Sequence, residues 1–286
     1  MQYSIARPSN GMLMELVVFD LDGTLLNRDS ALSTRTVETL RLLSERGIAY
    51  TVATGRMLHG SREILQGHGF RLPQVLKNGV MIWNPGSERY SHVSILTQDE
   101  IRHVLEAVMA QHITPFIFTL ESGNRHAVYH APLQSPVEEG LVSHYRKQAG
   151  LEVRPVAELP ATADITNISA IGDTALVHKI ERLIDEETHL VAYAGAALEG
   201  EHLGWIDIHH SEASKGGAIL QLKRDLGANR VICFGDSDND LSMFAMADEC
   251  YAPSNAKPVV KAAATAIIGH HNENGIAEFL RERFKL

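Results

Sequence analysis

The run Leu16-Val17-Val18-Phe19-Asp20-Leu21-Asp22-Gly23-Thr24-Leu25-Leu26 decides the fold class. An apolar stretch interrupted at Glu15 runs straight into a carboxylate, which suits a buried strand better than a helix. Its C-terminal end is where open α/β sheets place their ligand crevice. On a continued strand residues i and i+2 point the same way, so Asp20 and Asp22 face one substrate while Leu21 turns back to the core. Gly23 then lets the chain bend sharply. A calcium loop opening at Asp20 would need a bidentate Glu at its last position, and Ala31 stands there.

Outward from this strand the first third alternates strand and helix, with a helix over 34–46 stopped by Gly47, a strand over 49–53 and a helix over 57–66. The last third has the same texture: a helix over 216–226, the apolar run 231–234, a helix over 240–247, a strand over 250–252 and a final helix over 275–283. Such alternation predicts βαβ units around a parallel sheet, hence an α/β fold. The middle differs. Trp83-Asn84-Pro85-Gly86 is a turn-rich break, followed by an amphipathic helix over 97–110, strands over 114–120 and 127–129, a strand over 168–171, a helix over 174–187 and a strand over 205–209. The predicted organisation is a core of 1–83 and 210–286 with an inserted α/β domain over 84–209. No fixed-period repeat or low-complexity tract is present, which excludes a solenoid.

The chain has 286 residues, enough for one large or two moderate domains at roughly 100–200 residues each. It carries 26 Lys+Arg against 35 Asp+Glu, a formal net charge of −9, with 44% hydrophobic and 21% charged residues. This balance argues against disorder and against a polycationic nucleic-acid binder. Cys233 and Cys250 lie in apolar stretches without C-x-x-C spacing, and are expected to be buried and reduced. No apolar run reaches 18 residues and Met1–Gly11 lacks a signal-type apolar core, so the expectation is a soluble cytoplasmic protein without membrane contact.

A second acidic cluster, Asp236-Ser237-Asp238-Asn239-Asp240, follows the apolar Val231-Ile232-Cys233-Phe234-Gly235. Carboxylates packed at one strand end repel unless a cation neutralises them, and hard oxygen donors select Mg2+ before zinc. A solvated acidic helix start could absorb one or two of these residues, but hardly both clusters. Thr51-Val52-Ala53-Thr54-Gly55-Arg56 ends another strand, and Ser214-Lys215-Gly216-Gly217 opens a helix. Thr54 offers a hydroxyl, Gly55 an unobstructed amide and Lys215 a point charge, each suited to phosphoryl oxygens. Either segment alone is also an ordinary helix start.

Taken in order, D-x-D-G-T-L-L, T-G-R, S-K-G and G-D-S-x-N-D resemble the motifs of the haloacid dehalogenase-like (HAD) hydrolase superfamily, and more narrowly those of the Cof-type phosphatases. Lys77-Asn78-Gly79 and Asn272-Glu273-Asn274-Gly275-Ile276 are similar to further steps of that group. Where the family commonly has A-M-g-N-A, this chain has Ala252-Pro253-Ser254-Asn255-Ala256. The resemblance spans the whole chain. It implies a Rossmann-like parallel-sheet core with an inserted α/β cap that sets substrate choice, and a phosphoric monoester hydrolase acting on small phosphorylated metabolites, first among them sugar phosphates.

The resemblance further implies Asp20 as nucleophile, forming an aspartyl-phosphate, and Asp22 as general acid and base. Mg2+ would be held by the Asp20 carboxylate, the Asp22 carbonyl and Asp236, with Asp240 in support. Leu21, Thr54, Gly55, Lys215 and Asn239 become phosphate-binding positions. Arg56 joins Lys215 in making the crevice less negative than the chain average. Two alternatives stay open: a hexose-phosphate mutase, which shares the nucleophile and acid, and a non-catalytic phospholigand-binding protein on the same fold. In the insert, Arg125, His126, His130 and His144 are candidate substrate contacts that read more simply as surface residues, and the pairs His209-His210 and His270-His271 lack zinc spacing.

Overall fold

A computed structural model describes residues 14–197 and 199–286; the Met1–Gly11 reading lies outside these. The chain forms two compact units, one of residues 14–92 with 214–286 and one of 93–213.

The first unit opens with β1 (Glu15–Phe19), α1 (Thr34–Glu45), β2 (Ala49–Val52), α2 (Leu58–Leu65), β3 (Gln74–Leu76), β4 (Met81–Asn84) and β5 (Arg89–Val93). The second contains α3 (Gln98–Met109), β6 (Phe116–Glu121), β7 (Arg125–His130), α4 (Pro136–Lys147), β8 (Leu151–Pro155), β9 (Asp164–Asp173), α5 (Thr174–Ile184), β10 (Leu190–Ala196) and β11 (Leu203–His210). The chain then completes the first unit with α6 (Lys215–Leu226), β12 (Arg230–Phe234), α7 (Leu241–Phe244), β13 (Glu249–Pro253), α8 (Pro258–Ala263), β14 (Ala266–Ile268) and α9 (Gly275–Phe284).

The main sheet of the first unit runs β14-β13-β12-β1-β2, and every pair in it is parallel. Parallel strands covered on both faces read as continuous apolar runs, and here the period of two sorts them. Leu16, Val18, Val231 and Cys233 pack with Ala218, Ile219 and Leu222 of α6, whereas Val17, Phe19, Ile232 and Phe234 pack with Leu40 and Leu43 of α1 and Ile276 and Leu280 of α9. Cys233 and Cys250 are buried, unbridged and directly opposite on β12 and β13. Burial pushes the Cys233 thiol well above its usual range, which keeps it unreactive.

The inserted unit runs 93–213, so both its start and its end lie C-terminal of the 84 and 209 read from the sequence. Trp83-Asn84-Pro85-Gly86 starts a hairpin turn rather than an insert, because β5 pairs with β4 in a small β3-β4-β5 sheet. At the far end β11 continues to His210, paired with Leu190, and Ser211 N–H donates to His189 O at 2.9 Å.

The second unit is a six-stranded sheet of order β10-β11-β9-β6-β7-β8, antiparallel except for β7 with β8. Ile101, Val104 and Val108 of α3 and Val177, Ile180 and Ile184 of α5 form apolar stripes at helical spacing and cover the Ile117, Ile168 and Ile206 face. On alternate residues of β6, Phe116 and Phe118 meet Tyr145 of α4 edge-on. Among the described residues no helix is long and apolar enough to cross a membrane.

Glu138 on α4 is a buried carboxylate satisfied by donors rather than by a cation. It accepts from Thr114 N–H and Thr114 Oγ1, both at 2.9 Å, from Ser135 N–H at 3.1 Å and from Gln134 N–H. Truncation leaves those donors unmet, so Glu138→Ala should destabilise the protein by about 3 kcal/mol, read as a lower denaturant midpoint. Asp248 tests the sign of a second carboxylate. Val231 N–H at 2.8 Å and Lys223 Nζ at 3.0 Å hold its carboxyl below the usual range. A depressed native pKa stabilises fully above the unfolded value near about 3.9 and is lost as pH falls through the native one. Urea melts should show Asp248→Ala less stable than the parent at neutral pH, with the gap closing in acid.

Candidate active site

Three strand ends of the parallel sheet supply the site. β1 delivers Asp20 at the point where its N–H donates to Phe234 O at 2.9 Å. β12 delivers Gly235 and Asp236 on the neighbouring strand, and β2 delivers Thr54 on the other side. Carboxylate oxygens of Asp20, Asp236 and Asp240 lie within 4.8 Å of one another. The sequence separates the first from the last by 220 positions; the parallel register Phe19↔Phe234 brings them together.

One cation faces them. Lys215 Nζ, fully buried, donates to Asp20 Oδ1 and to Asp240 Oδ1, each at 2.6 Å. Burial alone would lower the Lys215 pKa, but the two carboxylates outweigh it and hold the ammonium charged. Burial raises Asp20 well above the ordinary carboxylate range, and Asp240 and Asp236 add to this against the pull of Lys215. Asp236 is raised as well, by burial and then by Asp240. Asp240 differs from its neighbours because its second oxygen accepts from the N–H groups of Asp236 at 2.8 Å and Ser237 at 3.0 Å. Asp240 thus takes three donors and braces the cluster, whereas Asp236 takes one hydroxyl on each oxygen, from Thr24 and Ser237 at 3.1 Å, and Asp20 bonds Lys215 through Oδ1.

Gly23 is required twice over. Its φ is +74°, and a Cβ there would stand 2.5 Å from Asp236 Oδ2. The turn it permits lets Thr24 Oγ1 donate to Asp236 Oδ1 at 3.1 Å. Leu21 is buried in the core beneath.

Asp22 stands apart. Its carboxylate is half exposed and is gripped by Arg56, with Nε at 2.7 Å from one oxygen and Nη2 at 2.6 Å from the other. Arg56 is fixed in turn by Nη1 on Gly60 O at 2.8 Å. Asp22 therefore does not join the cluster through its side chain.

Thr54 is buried, and its Oγ1 accepts from Arg56 N–H at 3.1 Å. The 77–79 turn bonds back to the same segment, through Asn78 N–H to Thr54 O at 3.0 Å and Lys77 N–H to Arg56 O at 3.1 Å. Asn78 Oδ1 accepts from Asn239 Nδ2 at 2.9 Å, which leaves the buried Asn239 Oδ1 without a partner. Thus Thr54, Gly55, Asn78 and Asn239 form one bonded group beside the Lys215 helix start. Of the insert candidates, His126 is buried and Arg125 is an exposed residue paired with Glu121. His209 is buried, while His271 bonds a backbone carbonyl of the loop after Asp22.

Motif reading named these residues but left out two contacts between them. The Arg56–Asp22 pair spans 34 positions and has no spacing signal. Asn255 donates Nδ2 to Gly23 O at 2.8 Å, a contact that only the folded chain reveals.

The family model of haloacid dehalogenase-like hydrolases matches residues 17–280. The 5-amino-6-(5-phospho-D-ribitylamino)uracil phosphatase of Bacillus subtilis is 26% identical, covering 93% of this chain and 97% of its own length. The pyridoxal phosphate phosphatase of Escherichia coli is 25% identical, with 94% and 98% covered. The solved structure of a haloacid dehalogenase-like hydrolase from Bacteroides thetaiotaomicron superposes with a TM-score of 0.74 at 24% identity, covering 94% of this chain and 99% of that one. With the motif residues gathered at the ends of its parallel strands and the family model running through nearly its whole length, the chain belongs to the haloacid dehalogenase-like hydrolases.

Proposed function

We propose that this chain is a Mg2+-dependent phosphatase of small phosphorylated metabolites that works through an aspartyl-phosphate on Asp20. The observation that carries this reading is the buried Asp20 carboxylate at a strand end, bonded to Lys215 and within 4.8 Å of Asp236 and Asp240. Three carboxylates against one ammonium leave a negative, oxygen-only donor set, which fits a hard divalent cation. Asp20, Asp236 and the Asp22 carbonyl would hold it, with Asp240 bracing. Such an ion, when bound, offsets the repulsion between a phosphate dianion and the attacking carboxylate.

Asp20 then attacks phosphorus, and the bond to the leaving oxygen breaks as the new O–P bond forms. Asp22 gives its proton to that oxygen, releasing an alcohol. Water next attacks the phosphorus of the acyl phosphate, Asp22 takes a proton from it, and Asp20 is freed with inorganic phosphate. For either transfer Asp22 must part from Arg56. Amides of Leu21 and Gly55, the Thr54 hydroxyl, Lys215 and Asn239 serve as donors to the phosphoryl oxygens, where charge spreads in a loose transition state. The unit 93–213, inserted between the two halves of the core in sequence, is assigned the choice of leaving group.

The named substrates of the two relatives, a ribitylamino-uracil phosphate and pyridoxal phosphate, support a small phosphorylated metabolite as the substrate class. Sugar phosphates head the panel to be screened. Purified protein with Mg2+ should release inorganic phosphate from at least one member, lose that activity on chelation and regain it on adding Mg2+. Asp20→Asn should keep the fold and reduce turnover by at least about a thousandfold. Retained turnover in that variant overturns the mechanism. Isomerised sugar without free phosphate would identify a mutase instead.

A further inference from the structure

We propose that Asn255 is a positioning residue that clips the loop after Asp20 to the end of β12, and so sets the spacing of the carboxylates that receive the cation; this rests on the metal-dependent reading above. The turn after β13 is closed by Ala256 N–H donating to Pro253 O at 2.9 Å. Two residues of this one turn reach two different acidic strand ends. Asn255 Nδ2 donates to Gly23 O at 2.8 Å, and Lys257 N–H donates to Asp236 O at 2.9 Å. Between those two acceptors runs Thr24, whose hydroxyl donates to Asp236 Oδ1 at 3.1 Å. Gly23, Thr24, Asp236, Lys257 and Asn255 therefore form a closed circuit around the Gly23 turn.

The amide of Asn255 has a single orientation consistent with its partners. Gly23 O can only accept, so Nδ2 faces it; Oδ1 accepts from His271 N–H at 3.2 Å. His271 extends the clip, because its Nδ1 must donate to Leu26 O at 2.8 Å. Further along, Asn272 Oδ1 accepts from Arg28 N–H and Asn274 Oδ1 from Ser33 Oγ, each at 2.7 Å. The chain from 255 to 274 thus holds the loop 23–33 at four places, all by polar side chains on backbone or hydroxyl groups. Of these bonds, the one from Asn255 lies next to the carboxylates.

The left-handed Gly23 turn, with φ of +74°, is held from within by Leu25 N–H on Asp20 O at 3.3 Å and Leu26 N–H on Leu21 O at 2.9 Å, while the Gly23 carbonyl itself is held by Asn255. Rotation of the Gly23–Thr24 peptide moves Thr24, whose hydroxyl bonds Asp236 Oδ1. The clip opposes this rotation from outside the turn. Outer partners of this kind, which hold the groups around a ligand rather than the ion, typically change metal affinity by about 10–100-fold when removed.

The test compares full-length parent, Asn255→Ala and Asn255→Asp by Mg2+ titration calorimetry, with kcat and KM measured on p-nitrophenyl phosphate and folding checked by circular dichroism. Asp keeps the acceptor for His271 N–H but cannot donate to Gly23 O. The expected result is that both variants fold and both bind Mg2+ about tenfold more weakly or worse, with kcat reduced and KM nearly unchanged. A structural tie to the C-terminal segment alone would spare Asn255→Asp, so parental Mg2+ affinity and kcat in that variant overturn the proposal. Failure of both variants to fold overturns it too, as does an absence of Mg2+ binding by the parent. Turnover surviving in Asp20→Asn would sink the catalytic assignment separately, because the calorimetric comparison does not depend on activity.

Discussion

A single buried ammonium holds the site together. Lys215 Nζ lies 2.6 Å from carboxylates that belong to two different strand ends, and desolvating it would be prohibitive without both of them. The rest of the local architecture follows from bringing that ammonium in. The first turn of α6 has to approach α7 so closely that a Cβ on Gly216 would stand 2.1 Å from Ser242 O, and Gly216 N–H uses the gap to donate to Ser242 Oγ at 3.2 Å. Asp240, in turn, can receive the ammonium on one oxygen because backbone amides fix the other. The cluster is therefore rigid on its Asp240 side and less fully bonded on the side of Asp20 and Asp236.

That asymmetry gives the acidic residues different physical characters despite their common chemistry. Asp240 is saturated with donors. Asp20 and Asp236 are buried carboxyls pushed above the ordinary carboxylate range, so a cation binding there would have to displace protons. The divalent ion proposed above would sit against these two, which take fewer hydrogen-bond donors than Asp240. The parallel sheet contributes through register: three adjacent strands end at one level, and their loops converge there without any long-range motif in the chain.

Much of this was legible because the relevant signals are local. Leu16–Phe19 ending in Asp20, and Val231–Phe234 ending in Gly235 and Asp236, are continuous apolar runs cut by carboxylates, and strand ends of that type announce a site. Helices with clear stripes, such as α3 and α5, were readable for the same reason. α4 was not, although Ser135 and Glu138 form a capping box, because its buried set is only Glu138 and Val142 and lacks an apolar stripe. The Trp83–Gly86 turn reads as an interdomain break because a hairpin turn and such a break use the same residues, and the pairing of β4 with β5 is what marks it as a hairpin. The Arg56 grip on Asp22 and the Asn255 grip on Gly23 were invisible because each is a contact between segments whose proximity is a product of topology.

Asp20 and Asp22 stand two residues apart yet have opposite surroundings. The Asp20 side chain is 9% exposed and pinned by a buried lysine, whereas that of Asp22 is 55% exposed and held by an arginine that is itself partly open to solvent. In the roles proposed for them, a nucleophile benefits from being fixed in line with its target, while a group that must deliver a proton and later remove one benefits from reach. An exposed guanidinium pair is weak enough to break, since solvent screens it and offers replacement partners. The turn at Gly23 separates these two regimes: it lies where the buried strand end gives way to the open loop, which is why its restraint by Asn255 bears on the spacing of the cluster.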